Sequence, residues 1–200
     1  MILSTDTLES LDLPPTIDTR VVGKLLGQTA PAGALLLLSG PTGSGKTSLA
    51  QGVAQGLGIK GRVVSPTFLY LQIYEPEGDT TRRIGFLHAD WDRVSGEPED
   101  LTETLTEGSE NRVTLVEWGE KLSQSLCRSF KIRLRILIRP QTMGRHLSLV
   151  WESSGSVDPS IHEWRRKFLE QLKESVGLLP FISSGSGTGK RSELEFDEGD

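Results

Sequence analysis

The run from Leu35 to Thr47 reads Leu-Leu-Leu-Leu-Ser-Gly-Pro-Thr-Gly-Ser-Gly-Lys-Thr. Within it Gly40, Gly45, Lys46 and Thr47 stand at the spacing of a P-loop, G-x-x-x-x-G-K-[ST], and each residue type answers a demand of polyphosphate binding. Backbone N–H groups must come close to phosphate oxygens, which Gly40, Gly43 and Gly45 permit because no Cβ stands in the way. A helix starting at about Lys46 adds its N-terminal partial positive charge and its free N–H groups. Lys46 is expected to reach the β- and γ-phosphates, and Thr47 to place its hydroxyl on a magnesium ion. Gly40, Pro41, Thr42, Gly43, Ser44, Gly45, Lys46, Thr47 and Ser48 therefore form the expected nucleotide cradle. A second glycine-rich run, Gly185 to Lys190, imitates the motif, but Ser184 replaces the leading glycine and Arg191 the Ser/Thr. Neither strand nor helix is expected around it, so it is read as a decoy.

A P-loop nucleotide also needs a carboxylate at the end of a neighbouring strand. Magnesium takes hard oxygen ligands, and an attacking water must be oriented or deprotonated. Two apolar runs end in such an acid: Phe86-Leu87-His88-Ala89-Asp90 and Val113-Thr114-Leu115-Val116-Glu117. In a parallel sheet Asp90 and Glu117 would both lie at the carboxyl edge, beside the P-loop. Strand ends also carry acids as simple caps, and the two roles are not divided between them by sequence. His88 is close enough in the chain to tune Asp90, or is a packed histidine.

These residues must be positioned by elements that the hydrophobic pattern outlines. Four consecutive leucines suit a strand buried on both faces. Asp18 or Thr19 caps a helix with Val22, Leu25 and Leu26 on one face, ended by Pro31 and Gly33. The helix from Lys46 carries Leu49, Val53 and Leu57 and is closed by Gly58. Further strands are expected within 63–74, interrupted by Pro66, at Ile84 to His88, and at Val113 to Val116. Residues 1–15, with Pro14-Pro15, suggest an edge strand or loop. Pro98 to Leu105 reads as a short acidic helix, and Leu122 with Leu126 as another.

From Lys131 to Arg139, Ile132, Leu134, Ile136 and Ile138 alternate with Arg133 and Arg135. Pro140 to Gly144 then turns into a return strand with Leu147, Leu149 and Trp151, giving a hairpin with one solvated face. Arg133, Arg135 and Arg139 are that wet face or, as the alternative, an RNA- or partner-binding patch. Asp158 and Pro159 open a helix whose stripe of Trp164, Phe168, Leu172 and Val176 is expected to pack on the domain's own surface, closed by Gly177.

The fold expected is α/β: a P-loop NTPase with a central, mostly parallel sheet flanked by helices and an antiparallel hairpin at the C-terminal end. Residues 1–153 are the expected P-loop domain, 154–180 an amphipathic helical extension, and 181–200 a disordered acidic Gly/Ser tail. Two hundred residues with 36% hydrophobic content support one such core. The excess acid of the net charge of -5 lies at the C-terminal end, where Glu193, Glu195, Asp197, Glu198 and Asp200 face Lys190 and Arg191. The nearly neutral remainder argues against a dedicated nucleic-acid binder, with a local basic face left open. A single cysteine, Cys127, excludes an intrachain disulfide and fits a reducing compartment. No apolar run reaches membrane-spanning length and no signal segment is evident, so the expectation is a cytoplasmic protein with no membrane partner.

From about Thr19 to Trp151 the chain resembles the bacterial TsaE (YjeE) ATPases of tRNA threonylcarbamoyladenosine synthesis. The resemblance is carried by Gly40 to Thr47; Ser65-Pro66-Thr67-Phe68 leading to Tyr74; His88-Ala89-Asp90 with Arg93; and Val116-Glu117-Trp118-Gly119-Glu120, in that order. It implies an ATP- and Mg2+-dependent ATPase, weak alone, that works with TsaD and TsaB and meets tRNA indirectly through that complex, the modification chemistry belonging to a partner. It also implies Thr47 and Glu117 as magnesium ligands, Asp90 as a catalytic acid, Ser65 to Phe68 as a mobile switch segment, Arg145 near the nucleotide and Thr19 on the adenine side. Two positions depart from the family pattern: Asp92 stands for a usual tyrosine, and Leu69 for a common threonine. The residues alone leave a small-molecule kinase open, with Asp90 accepting a hydroxyl proton, although no compact arginine-rich lid accompanies Arg82, Arg83 and Arg93. A guanine-specific Asn-Lys-x-Asp motif is absent from the sequence.

Overall fold

The computed structural model describes residues 7–66, 69–76, 83–154 and 158–177. The expected disordered tail, the decoy motif at 185–190, Arg82, and Thr67 and Phe68 of the expected switch segment lie outside the described residues.

The leucine run becomes β2 (Ala34–Ser39), every residue of which is buried. Leu36 and Leu38 enter one apolar cluster and Leu35 and Leu37 the other, so the strand is covered on both faces as the pattern predicts. It lies at the centre of a seven-stranded sheet of order β1-β7-β6-β2-β5-β4-β3. β2 is flanked in parallel by β6 (Ile132–Gln141) and β5 (Arg112–Glu117), and β5 pairs in parallel with β4 (Gly85–Asp90). Antiparallel strands finish both sides: β7 (Gly144–Ser153) and β1 (Thr7–Leu13) beyond β6, and β3 (Leu71–Tyr74) beyond β4.

Helices α1 (Thr19–Thr29) and α2 (Lys46–Leu57) cover one face, joined by α5 (Pro159–Val176). Leu105 of α3 (Glu99–Thr106) and Leu126 and Cys127 of α4 (Gln124–Arg128) pack on the other. Asp18 is the N-cap of α1, its carboxylate accepting the Arg20 N–H at 2.8 Å. Gly58 ends α2 in the left-handed conformation. α1 and α2 meet backbone to backbone: a Cβ at Gly23 would lie 2.1 Å from the Leu49 carbonyl oxygen, and one at Gly52 2.1 Å from that of Arg20. No helix among the described residues is long and apolar enough to cross a membrane.

Three local expectations need correction. Among the described residues of the stretch 63–74, only Leu71–Tyr74 forms a strand, because Pro66 has no N–H to give a ladder, and that strand is antiparallel to β4. The arginine face of the hairpin is not simply wet. Arg133 is 8% exposed; its Nε donates to Glu152 Oε2 at 3.1 Å and its Nη1 to the Phe130 carbonyl at 2.8 Å. Arg135 Nε donates to the other oxygen of Glu152 at 2.8 Å, so the two cations share one carboxylate. Arg139 is exposed. The hairpin turn is also tighter than Pro140 to Gly144, since pairing runs on to Gln141 opposite Gly144.

α5 packs on the sheet through its apolar stripe. Trp164 meets Trp151 edge to face at 5.0 Å, Phe168 lies 5.9 Å from the same ring, and Leu172 is fully buried. Buried Glu9 of β1 ties the layers together, accepting from Trp151 Nε1 at 2.8 Å and pairing with Arg165 Nη2 at 2.6 Å.

Candidate nucleotide-binding site

The turn between β2 and α2 opens on a cleft of about 400 Å3 at the carboxyl edge of the parallel strands. Gly40 and Gly45 have φ of 136° and 109°, a region L side chains avoid, and both positions are crowded. A Cβ at Gly40 would stand 2.3 Å from the Ile138 carbonyl oxygen, and one at Gly45 2.8 Å from Thr19 Oγ1. No side chain caps the N-terminus of α2, so no side-chain oxygen takes up its first N–H groups.

Thr42, Gly43, Gly45, Lys46, Thr47, Ser48 and Arg145 all line the cleft, together with Ser65, Asp90, Asp92, Glu117 and Trp118. Gly40, Pro41, Ser44 and Thr19 instead shape or brace the loop. Thr19, 1% exposed, donates to the Gly45 carbonyl at 2.9 Å, and Arg145 Nε donates to the Ser44 carbonyl at 2.9 Å. Two distant elements, α1 and β7, thus clamp the loop backbone.

Lys46 is 5% exposed and donates through Nζ to the carbonyls of Gly40 at 2.7 Å and Pro41 at 3.0 Å. Its ammonium also lies 4.2 Å from the centroid of the Trp118 ring. Burial pushes its pKa below the ordinary lysine value, while Glu117, Glu120, Asp90 and Asp92 pull it back up.

The register of the parallel strands sets Asp90 directly opposite Glu117. Both are buried, at 4% and 3% exposure. The Thr47 hydroxyl lies 2.9 Å and 3.1 Å from the two Glu117 oxygens, which brings a hydroxyl and a carboxylate together in the cleft beside the start of α2. Asp90 is held differently: Oδ2 accepts from Ser65 Oγ at 3.0 Å and Oδ1 from the Asp92 N–H at 3.0 Å. His88 does not turn to Asp90; its Nε2 lies 2.9 Å from Glu117 Oε1.

Sequence reasoning gave no role to three residues that the geometry brings into the site. Trp118 adopts φ 57°, the left-handed region uncommon for a bulky side chain, and so brings its ring over Lys46. Gly119 follows because a Cβ there would stand 2.8 Å from Leu37 Cβ. Glu120 accepts from Ser39 Oγ at 2.6 Å, pinning the end of β2. The signal available was the run Glu117 to Glu120 directly after an apolar strand, but which way each side chain points depends on the turn. Asp92, where the family pattern has tyrosine, pairs with Lys121 Nζ at 3.3 Å on the rim.

A family model described as threonylcarbamoyl adenosine biosynthesis protein TsaE matches residues 13–147. A Streptomyces coelicolor protein named tRNA threonylcarbamoyladenosine biosynthesis protein TsaE is 39% identical over 120 residues, 58% of this chain and 77% of its own length. A protein of the same name from Bacillus subtilis is 36% identical over 123 residues, 61% of this chain and 72% of its own. The crystal structure of Bacillus subtilis YdiB superposes with a TM-score of 0.57 at 25% identity, covering 86% of this chain and 99% of the other. The matched span runs from the end of β1 to the middle of β7 and takes in the whole P-loop cleft with both strand-end acids, and by it the chain belongs to the TsaE family.

Proposed function

We propose that the chain is a Mg2+-dependent ATPase that acts with TsaB and TsaD in threonylcarbamoyladenosine modification of tRNA, beside the anticodon, in the cytoplasm. The observation that carries the reading is the pairing of Thr47, the last residue of the P-loop motif, with Glu117 at 2.9 Å, within a cleft that also presents Lys46 and Asp90. A hydroxyl and a carboxylate side by side are hard oxygen donors of the kind Mg2+ takes, so the residues present fit that ion, and Thr47 and Glu117 would hold it. Bound there, the ion would neutralise charge on the phosphate oxygens.

The chain's own groups do the rest. The uncapped N–H groups of α2 and the loop bind the phosphates, with Lys46 exchanging the carbonyls of Gly40 and Pro41 for phosphate oxygens. The Asp90 carboxylate, fixed by Ser65 and by the Asp92 N–H, is the group to orient the attacking water. Arg145 and Thr19 keep the loop in shape from β7 and α1, with the nucleotide base expected beyond them. The modification itself belongs to a partner, and tRNA meets this chain through the complex.

Reconstitution tests the reading. TsaB and TsaD, supplied with tRNA, the activated threonylcarbamoyl donor and ATP, should sustain modification with this chain present and lose it when Lys46→Ala replaces it. Equal modification with and without the chain overturns the reading. So does phosphorylation of a small-molecule acceptor at Asp90, the kinase alternative.

A further inference from the structure

The site contains one fully buried polar group with no part in the reading above, the imidazole of His88. Strand alternation puts Phe86, His88 and Asp90 on the same face of β4, and Asp90 lies opposite Glu117 in the register. His88 therefore stands one pleat behind the cleft, where its ring reaches Glu117 diagonally at 2.9 Å. At 0% exposure it cannot touch a nucleotide. A carboxylate can only accept, so this bond requires the ring tautomer that carries its hydrogen on Nε2. Nδ1 is buried and has no hydrogen-bond partner among the described residues, and the ring stacks 6.0 Å from Phe86. A histidine kept only for packing would leave that lone pair dry without return, whereas a phenyl ring would fill the place without an unpaired atom. The polar connection that this ring does make points at the acid beside Thr47.

We infer that His88 is a positioning residue whose Nε2–H holds Oε1 of Glu117 and so keeps the carboxylate turned toward Thr47 in the orientation that receives Mg2+. The inference rests on the proposed function. Thr47 Oγ1 lies 2.9 Å from the oxygen that His88 holds and 3.1 Å from Oε2, so the carboxylate is gripped from the strand side and from the helix side at once. Without His88 the Glu117 side chain regains rotamers that face away from Thr47, and the ion must organise its own ligand. Partners that orient a ligating side chain are worth about 10- to 100-fold in metal affinity.

The test measures ATP binding by calorimetry in excess EDTA and across a Mg2+ titration, with the thermal midpoint alongside, for the unaltered chain, His88→Phe and His88→Gln. For His88→Phe, ATP affinity in EDTA should be unchanged, while the Mg2+ concentration for half-maximal tightening rises by about tenfold or more. His88→Gln keeps an N–H that can reach Glu117 and should return that concentration to within roughly threefold of the unaltered chain. If the phenyl ring prevents folding, His88→Leu makes the same comparison. The inference is overturned by a Mg2+ response in His88→Phe equal to that of the unaltered chain, by equal losses in EDTA and in Mg2+, or by a glutamine variant as impaired as the phenylalanine one. An unaltered chain that binds no ATP at all overturns the proposed function instead, and the inference with it.

Discussion

Lys46 is largely buried at the floor of the cleft, held by two loop carbonyls and a tryptophan face, and its acid neighbours favour the charged form against burial. Removing it takes away the proposed charge-assisted phosphate contact together with the contact on the Trp118 ring, but no part of either apolar core cluster. Lys46→Ala should therefore weaken ATP binding by about 10- to 100-fold, with an unchanged circular dichroism spectrum. ATP affinity equal to that of the unaltered chain would remove the basis of the P-loop assignment. The two acids should separate. Glu117→Ala, which strips the partner of Thr47, should erase most of the tightening of ATP by Mg2+. Asp90→Ala, which removes a carboxylate held by Ser65 and the Asp92 N–H, should leave binding near normal and lower turnover by about 100-fold or more. Binding isotherms with and without Mg2+, set beside steady-state rates, distinguish the two; normal hydrolysis by both variants would mean the chemistry lies elsewhere. That the loop and both acids meet in one cleft was legible because the P-loop spacing has few other uses and the ends of parallel strands share an edge. The partner of His88 was not, because His88 and Glu117 are 29 positions apart and meet only through the register of β4 on β5.

At the scale of elements, the site depends on how closely α1 approaches α2. Gly23 and Gly27 on one helix and Gly52 and Gly56 on the other each leave room for a carbonyl oxygen within 2.1–2.2 Å of where a Cβ would stand. That approach brings Thr19, the first residue of α1, onto the Gly45 carbonyl. Gly52→Ala gains helix propensity but must push the backbone of Arg20 away, and overpacking of this kind costs about 1–3 kcal/mol. A lower urea midpoint together with weaker ATP binding is the expected result; an unchanged or higher midpoint would show that the helices can separate without loss. The sequence carries no separate signal for these glycines, since their effect appears only when the facing helix is known. The apolar strands and the stripe of α5 were readable because burial imposes its period on the chain. The shortened strand at 71–74 followed from a proline whose position was visible but whose reach was not. The exposed side of α5 carries a pH signature: Arg166 and Lys167 hold the Glu163 carboxyl down to about 2 from the ordinary 4.5. A carboxyl lowered on folding contributes stability above its unfolded value, and the contribution is lost as pH falls from 4.5 toward 2. Because the group is fully exposed, the effect should shrink in high salt. A Glu163 titration midpoint near 4.5 by NMR would contradict it.

The whole molecule places its P-loop chemistry close to a thin edge of the sheet. On the β1 side, β7, β6 and α5 form a thick layer around Trp151 and Trp164. On the other side the sheet ends in the four-residue β3, and Leu69, Tyr70 and Ile73 there are 69%, 39% and 41% exposed. This edge connects directly to the proposed water-orienting acid: Asp90 donates its N–H to the Tyr70 carbonyl at 2.8 Å, and Ser65 holds its carboxylate. Tyr70 itself sits at φ 63°, a conformation that costs a non-glycine residue energy and that persists only when its surroundings enforce it. A protein bound over this edge would change those surroundings, and so the placement of Asp90. Phosphoryl transfer is governed by such placement and by cations delivered to the transition state. Among the described residues lining the cleft, Arg145 is the one arginine, and its Nε is already engaged by the Ser44 carbonyl. The isolated chain is therefore expected to hydrolyse ATP slowly, and TsaB with TsaD to accelerate it. If they do so by supplying a guanidinium, the gain should be on the order of a thousandfold or more, the scale of arginines acting in trans; if they only reset Asp90 through the β3 edge, it should be smaller. Leu69→Asp separates these from an intrinsic rate, because a charge on the exposed edge should abolish stimulation while leaving the slow basal turnover and ATP affinity intact. Steady-state hydrolysis by the chain alone, then with both partners and tRNA, gives the comparison. Fast turnover by the chain alone, unaltered by the partners, would mark it as a self-sufficient enzyme.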